Sequence, residues 1–267
     1  MITINIDPVA FRIGPLAVRW YGLMYVVAIV VGLLVVWPYA KAKGITQEFF
    51  EKVVVWSVPA GLVGARLYYD LQQPLDQYVK SPINIIAFWE GGMAFYGAIF
   101  AVVIVLLILG WRHKLTLKLL DVACIFAAVG QFFGRFGNII NGDIVGYPTK
   151  LPWGFIYANP NSFVADHTVA YQPAAVYEAI SNIILFAVLW KLRNKFKPGV
   201  LFFIYVLSYS VFQIILFTWR DNTVVFWGLK QAQLTAIVVI IAAVVAFFVV
   251  RRVQQRNAAK NLANSNP

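Results

Sequence analysis

Four stretches of the chain, residues 20–40, 91–111, 198–219 and 231–250, run without a single Asp, Glu, Lys or Arg. Each matches the about 20 apolar residues that an α-helix needs to cross the hydrocarbon core of a bilayer. Three further runs, 53–69, 119–136 and 173–190, reach spanning length only when an ionisable residue is admitted: Arg66 in the first, Asp121 and Arg135 in the second, Glu178 in the third. The expected fold is all-α: a polytopic integral membrane helical bundle of about seven transmembrane helices, forming one domain over residues 1–267. Composition agrees. Charged residues make up 12% of the chain, against about 25% in soluble proteins, which excludes a disordered chain and argues against a soluble enzyme.

The net charge is +11, from 22 Lys and Arg against 11 Asp and Glu. In a soluble protein that balance points to nucleic acid; here its distribution gives another reason. One set of loops and the C-terminal end hold Lys41, Lys43, Lys52, Arg112, Lys114, Lys118, Lys191, Arg193, Lys195, Lys197, Arg251, Arg252, Arg256 and Lys260. Cytoplasmic loops carry the excess of Lys and Arg, so this set is cytoplasmic, the N-terminus is outside and the C-terminus inside. No nucleic-acid partner is needed. Residues 1–15 lack the basic start, apolar stretch and cleavage site of a signal peptide, so the first apolar run is expected to stay as a helix. Residues 139–170 contain Pro148, Pro152, Pro160 and several Gly and Asn, and read as an irregular outer loop or cap. Residues 254–267 read as a disordered polar tail on the cytoplasmic side. Cys124 is the single cysteine and is assigned to packing. His113 and His167 fall on opposite sides, so neither a metal site nor a cofactor is expected.

On this topology Arg66, Asp70, Glu90, Arg135, Asp143, Glu178, Arg220 and Asp221 all fall toward the outer ends of their helices. A charge at membrane depth costs several kcal/mol unless it is paired or reaches water, and it marks a site by default. A purely structural reading has Arg66, Arg135 and Glu178 pair with one another or reach the interface through their long stems. The neighbours of Arg135 argue for more. The run Gly134-Arg135-Phe136-Gly137-Asn138-Ile139-Ile140-Asn141-Gly142-Asp143-Ile144-Val145-Gly146 combines four glycines with one Arg, two Asn and one Asp. Glycine lets backbone approach a ligand closely, and arginine presents a permanently charged fork that suits phosphate. Together they fit an anionic lipid head group. A helix-packing seam at Gly130 and Gly134, which have small-xxx-small spacing, accounts for those two glycines but not for the polar set from Arg135 to Asp143.

That run resembles the signature of the bacterial prolipoprotein diacylglyceryl transferases. Other stretches resemble the family in the same order: Gly14-Pro15-Leu16-Ala17-Val18-Arg19-Trp20-Tyr21-Gly22, Gly64-Ala65-Arg66-Leu67-Tyr68-Tyr69, Glu90-Gly91-Gly92-Met93-Ala94-Phe95-Tyr96-Gly97, Tyr177-Glu178 and Arg220. The chain departs from the pattern in places. Tyr96 stands where many members have His, Asp143 for the more usual Glu, Gln172 where His is frequent, and Gln213 and Phe217 where Arg and Glu are expected.

The resemblance implies an enzyme of the bacterial plasma (inner) membrane that moves the diacylglyceryl group of phosphatidylglycerol onto the lipobox cysteine of a prolipoprotein signal peptide. A thioether forms and glycerol phosphate leaves. It further implies Arg135 and Arg220 at the phosphate, with Tyr96 or Tyr21 handling the thiol proton. Gly134, Asn138, Asn141, Gly142, Asp143, Gly146, Arg66 and Glu178 would bind the substrate or hold the arginines. Two other classes use the same charges: a small transporter or flippase for anionic lipid, and a catalytically weakened lipoprotein-binding relative. The first needs polar residues through both leaflets, and the inner halves of the helices are almost wholly apolar. No Gly-x-Ser-Gly run or clustered Asp motif indicates a serine protease or a metal-dependent phosphatidyl transferase.

Overall fold

The computed structural model describes every residue except 15, 75–77, 79, 80, 87–91, 266 and 267, with backbone alone at 95 and 257–265. Pro15, Glu90 and Gly91 of the motifs above therefore lie outside the described residues. Among the rest are seven α-helices: α1 Trp20–Ala42, α2 Gln47–Asp70, α3 Phe95–Arg112, α4 Thr116–Asn141, α5 Ala174–Leu192, α6 Val200–Leu216 and α7 Gln231–Ser265. Short strands fill the connections: β1 Ile2–Ile4, β2 Val9–Ile13, β3 Leu16–Arg19, β4 Phe155–Tyr157, β5 Ala170–Tyr171, β6 Val224–Phe226 and β7 Leu229–Lys230. By length and composition α1, α4, α5 and residues 231–256 of α7 can cross a bilayer. The protein is a multi-pass membrane protein.

Several boundaries differ from the sequence expectation, for local reasons. α6 begins only after Gly199, whose φ of 92° no side-chain-bearing residue adopts readily, and it ends at Leu216. It is thus shorter than the apolar run 198–219. α2 starts at Gln47, six residues before the apolar run, because the Thr46 hydroxyl accepts the Phe49 N–H at 3.3 Å and caps the helix. α4 runs on to Asn141 and is stopped by Gly142 at φ 70°, whose N–H closes onto Asn138 O at 2.9 Å. α7 continues to Ser265, past residue 254 where a disordered tail was expected. The stretch 139–170 is also more regular than its prolines suggest. β4 pairs in parallel with β1 and antiparallel with β5, making a three-stranded sheet. Tyr157, Val164 and Tyr171 form a small buried core beneath that sheet with Ile4, Val145, Phe155 and Val169 around them. The first residues of the chain thus complete the cap.

The helices divide into two compact units, one of Met1–Leu33 with Cys124–Pro267, the other of Leu34–Ala123. In the second, α2 crosses α3 where Gly64 meets Gly97. A Cβ on Gly64 would stand 2.6 Å from Gly97 O, so only glycine permits the approach. Arg66, buried on α2, pairs with Asp70 one turn on at 3.2 Å and donates to the carbonyls of Asn84, Ile85 and Gly92. Asp70 also accepts from the Tyr78 hydroxyl at 2.9 Å. Arg66 therefore ties down the connection between α2 and α3.

In the first unit, α4 lies against α1 at Gly137, where a Cβ would come within 2.9 Å of the Tyr21 Cα. The seam is therefore not at Gly130 and Gly134, where an added Cβ meets nothing within 4 Å. The spacing rule picked the right helix and the wrong glycines, because the partner on α1 comes close one turn further along.

Candidate active site

Three elements of the first unit converge on one carboxylate. Glu178, in the first turns of α5, is 1% exposed. Arg135, in the last turns of α4, brings Nη2 to 2.6 Å from Glu178 Oε2, an ion contact in which the N–H is not aimed along the line to the oxygen. Arg220, just beyond α6, donates from Nη1 to Glu178 Oε1 at 3.1 Å. Two guanidinium groups thus share a single carboxylate. A guanidinium carries five N–H donors and no acceptor, so one carboxylate cannot saturate the pair. Nε of Arg135 and Nε of Arg220 are both buried and unpartnered.

Asn138, one turn beyond Arg135, accepts from Arg135 Nη1 at 3.0 Å and donates from Nδ2 to both Asp143 carboxylate oxygens at 3.1 Å. It holds one face of Arg135 and fixes Asp143 in the same contact. Burial pushes the Asp143 carboxyl above its ordinary range, while the Asn138 hydrogen bonds and the charges of Arg135 and Arg220 pull it back. Burial likewise lowers Arg220 from the usual arginine value, with Glu178 acting in the opposite sense. The Arg220 guanidinium also lies over the Phe217 ring, 4.4 Å from its centroid, a cation–π contact.

The backbone that carries Arg220 is stitched to the glycine-rich run. Gly146 forms an antiparallel bridge with Arg220. Tyr147 N–H reaches Trp219 O at 3.1 Å, and Asp221 N–H reaches Val145 O at 3.2 Å. A Cβ on Gly146 would stand 2.5 Å from Trp219 O and 2.8 Å from Gln172 Cβ, so any other residue would push the Arg220 segment away. Gly142, as the stop signal of α4, turns the chain toward this stitch. The two glycines act through backbone geometry. Gly134 is different: the space beside it is open.

The remaining expected residues are placed as follows. The Tyr21 hydroxyl hydrogen-bonds the Tyr25 hydroxyl at 2.8 Å, the rings meeting edge to face. Tyr25 in turn lies within electrostatic reach of Arg135 and Asp143. Asn141 is buried with Oδ1 unpartnered. Arg66 and Tyr96 belong to the second unit; Arg66 is engaged as described, and Tyr96, near the start of α3, is 53% exposed. Sequence reasoning missed Tyr25, although its position four residues after Tyr21 puts it on the same face of α1. It also missed Lys230, a single cation in an apolar stretch. Further along the helices, Tyr205 donates to Gln131 Oε1 at 3.1 Å, a satisfied pair between α6 and α4. Among the described residues no group of three or more His, Cys, Asp and Glu side chains gathers as a metal site requires.

The family model of prolipoprotein diacylglyceryl transferases matches residues 8–249. Curated relatives named phosphatidylglycerol–prolipoprotein diacylglyceryl transferase include one from Lactobacillus acidophilus, 33% identical, covering 94% of this chain and 92% of its own length. Another, from Synechocystis, is 33% identical over 87% of this chain and 85% of its own. A third, from Parasynechococcus marenigrum, is 35% identical over 78% of this chain and 77% of its own.

Proposed function

The chain belongs to the prolipoprotein diacylglyceryl transferase family, and from that premise we propose that its two Glu178-linked arginines bind the phosphate of phosphatidylglycerol during transfer of the diacylglyceryl group to a prolipoprotein. The enzyme is a transferase whose substrates are both membrane-bound. The acceptor, in this reading, is the thiol of a lipobox cysteine on a signal peptide. The sulfur attacks the diacylglyceryl carbon that bears the phosphate oxygen. The C–S bond forms, the C–O bond breaks, and glycerol phosphate departs with the bonding electron pair. The thiol proton has to be removed, since a free cysteine has a pKa of about 8.5 and only the thiolate is strongly nucleophilic.

The observation that carries the reading is the shared carboxylate. Two permanently charged forks meet one acid, and each retains a buried Nε–H without a partner. A phosphodiester, with its two free anionic oxygens, offers acceptors for such donors. Charge then builds on the leaving phosphate as the C–O bond lengthens, where preorganised donors are worth most. Asn138 holds Arg135 in register. Glu178 keeps the two forks together before the lipid arrives. The Tyr21–Tyr25 hydroxyl pair, within electrostatic reach of Arg135 and Asp143 through Tyr25, is assigned to hydrogen-bond the sulfur and assist the loss of the thiol proton to water, with Tyr96 as the other candidate. Asn141, whose buried amide oxygen lacks a partner, is assigned to the glycerol head group, and the open space at Gly134 to the lipid beside Arg135.

The reaction is tested with purified protein, phosphatidylglycerol and a lipobox peptide, with mass spectrometry of the peptide thioether as readout. The expected product is heavier by one diacylglyceryl group and appears only when the peptide cysteine is present. A peptide that stays unmodified, while a related family enzyme modifies it under the same conditions, would refute the reading.

The same reading sets orientation: the whole chain acts as one membrane domain with its N-terminus outside and its C-terminus cytoplasmic. A reporter fused after Pro267 should then report the cytoplasm, and one inserted in the Pro148–Pro160 region the exterior. Two reporters on the same side would overturn this topology.

A further inference from the structure

Lys230 is a lysine where the surroundings call for none. It ends β7, directly before α7, and is 4% exposed. A lysine is almost never buried to that degree unless it is paired. Its partners here are not a carboxylate. The ammonium donates to Phe217 O, the carbonyl of the residue that caps α6, at 2.6 Å and to Arg220 O, four residues past the end of that helix. Its third side faces the Tyr147 ring, with Nζ 4.6 Å from the centroid. The backbone N–H of Lys230 is held in turn by Gln233 Oε1 at 3.0 Å, and Gln233 Nε2 reaches back to Ile214 O at 2.9 Å.

These contacts share a purpose. The last carbonyls of a helix have no intrahelical partner and carry the negative end of its dipole, so a cation is favourable there. The Lys230 ammonium occupies that position at α6. Of the two carbonyls it takes, one belongs to Phe217, whose ring lies beneath the Arg220 guanidinium, and the other to Arg220 itself. The opposite side of the same segment is held by Gly146 and Val145. The Arg220 backbone is thus pinned from two directions.

We propose that Lys230 is a positioning residue for Arg220: its buried ammonium locks the end of α6 to the start of α7 and so fixes where the Arg220 fork stands relative to Glu178. This rests on the reading that Arg220 serves the lipid phosphate. Lys230 touches neither lipid nor thiol in this scheme; it acts through a backbone. A displacement of about 1 Å from a residue away from the chemistry can cost on the order of 10²-fold in rate.

The experiment compares Lys230→Met, Lys230→Arg, Arg220→Lys, Arg220→Ala and the double variant Lys230→Met/Arg220→Lys, with transfer measured over a range of phosphatidylglycerol concentrations. Met keeps the apolar stem and removes the ammonium; Arg keeps donors and charge. Lys230→Met is expected to lower transfer about tenfold or more, and Lys230→Arg to restore most of it. In the Arg220→Lys background, where the fork to be positioned is already gone, Lys230→Met should change transfer less than twofold, because two residues acting through one element are not additive. The same fold-loss in both backgrounds, or wild-type transfer by Lys230→Met, would overturn the proposal. So would failure of both Lys230 variants to insert and fold, since that marks a role in stability alone. If Arg220→Ala itself transfers lipid at the wild-type rate, the phosphate reading falls; if Arg220→Ala is inactive and Lys230→Met is normal, only the role of Lys230 falls.

Discussion

Replacing Arg135 with alanine is expected to reduce lipid transfer by about 10³-fold in a purified assay, the scale set by removing preorganised donors from a site where charge develops. Arg135 makes an ion contact with Glu178 and donates to Asn138, and it keeps one buried Nε–H without a partner. Alanine removes the fork, the charge and the register that Asn138 enforces. Arg135→Lys is the sharper experiment. It keeps the charge but offers a point donor in place of a planar fork, so it can face Glu178 or the phosphate but not both in the present geometry. A loss on the order of 10²-fold is expected for Lys, with insertion into the membrane unchanged, since the apolar face of α4 is untouched. Arg251→Ala, just past the apolar run of α7, serves as control and should cost little. Transfer by Arg135→Ala at a rate near wild type would remove the arginine from the chemistry.

Much of this site is legible in the sequence, and the reason is energetic. Charges at membrane depth are expensive, so Arg135, Glu178 and Arg220 stand out against apolar surroundings without any coordinates. Helix existence was legible for the same reason. Pairing was less so. Arg66 and Arg135 look alike as isolated arginines in apolar runs, yet one meets an acid on its own helix and three carbonyls, while the other meets an acid on a different helix. No pattern along one helix distinguishes them. The seam glycine of α4 was misplaced for a related reason: Gly137 is defined by the approach of Tyr21 on α1, not by spacing within α4. The cap was legible as a loop but not as a sheet, because its strands are two or three residues long and the sheet is completed by residues 2–4, far away in sequence. Lys230 escaped because one lysine at a helix start reads as an ordinary interfacial cation until the carbonyls of α6 are seen around it.

The sequence pattern leads to an acid at position 217, beside Arg220. The structure places the Phe217 ring there, its centroid 4.4 Å from the Arg220 guanidinium, and Arg220 takes its ion pair from Glu178 on α5. Among the described residues Glu178 is the acid in ion contact with both arginines, which concentrates the ion pairing of the site on one residue.

That concentration predicts the second large effect. Glu178→Ala should destabilise the protein by about 3–5 kcal/mol, the range for removing one partner from a buried ion pair, measured as a fall in thermal or denaturant midpoint in detergent. The mechanism is specific: Arg135 and Arg220 would be left buried, close to one another and without their common counter-charge. Glu178→Gln separates charge from shape. It keeps the side-chain volume and one carbonyl oxygen as acceptor, so most of the packing survives, but the two guanidinium groups repel through a neutral amide. An anion that enters between them should then do for the variant what the carboxylate does for the native protein. Phosphatidylglycerol is therefore expected to raise the midpoint of Glu178→Gln more than that of wild type, since a ligand stabilises in proportion to its preference for the folded state. A zwitterionic lipid of the same chain length should raise both equally. Transfer should be strongly reduced in both variants, because forks no longer held together cannot meet one phosphate. A Glu178→Ala midpoint equal to wild type, or no difference between the two lipids for Glu178→Gln, would mean that the arginines are neutralised elsewhere and that the shared carboxylate does not organise the site.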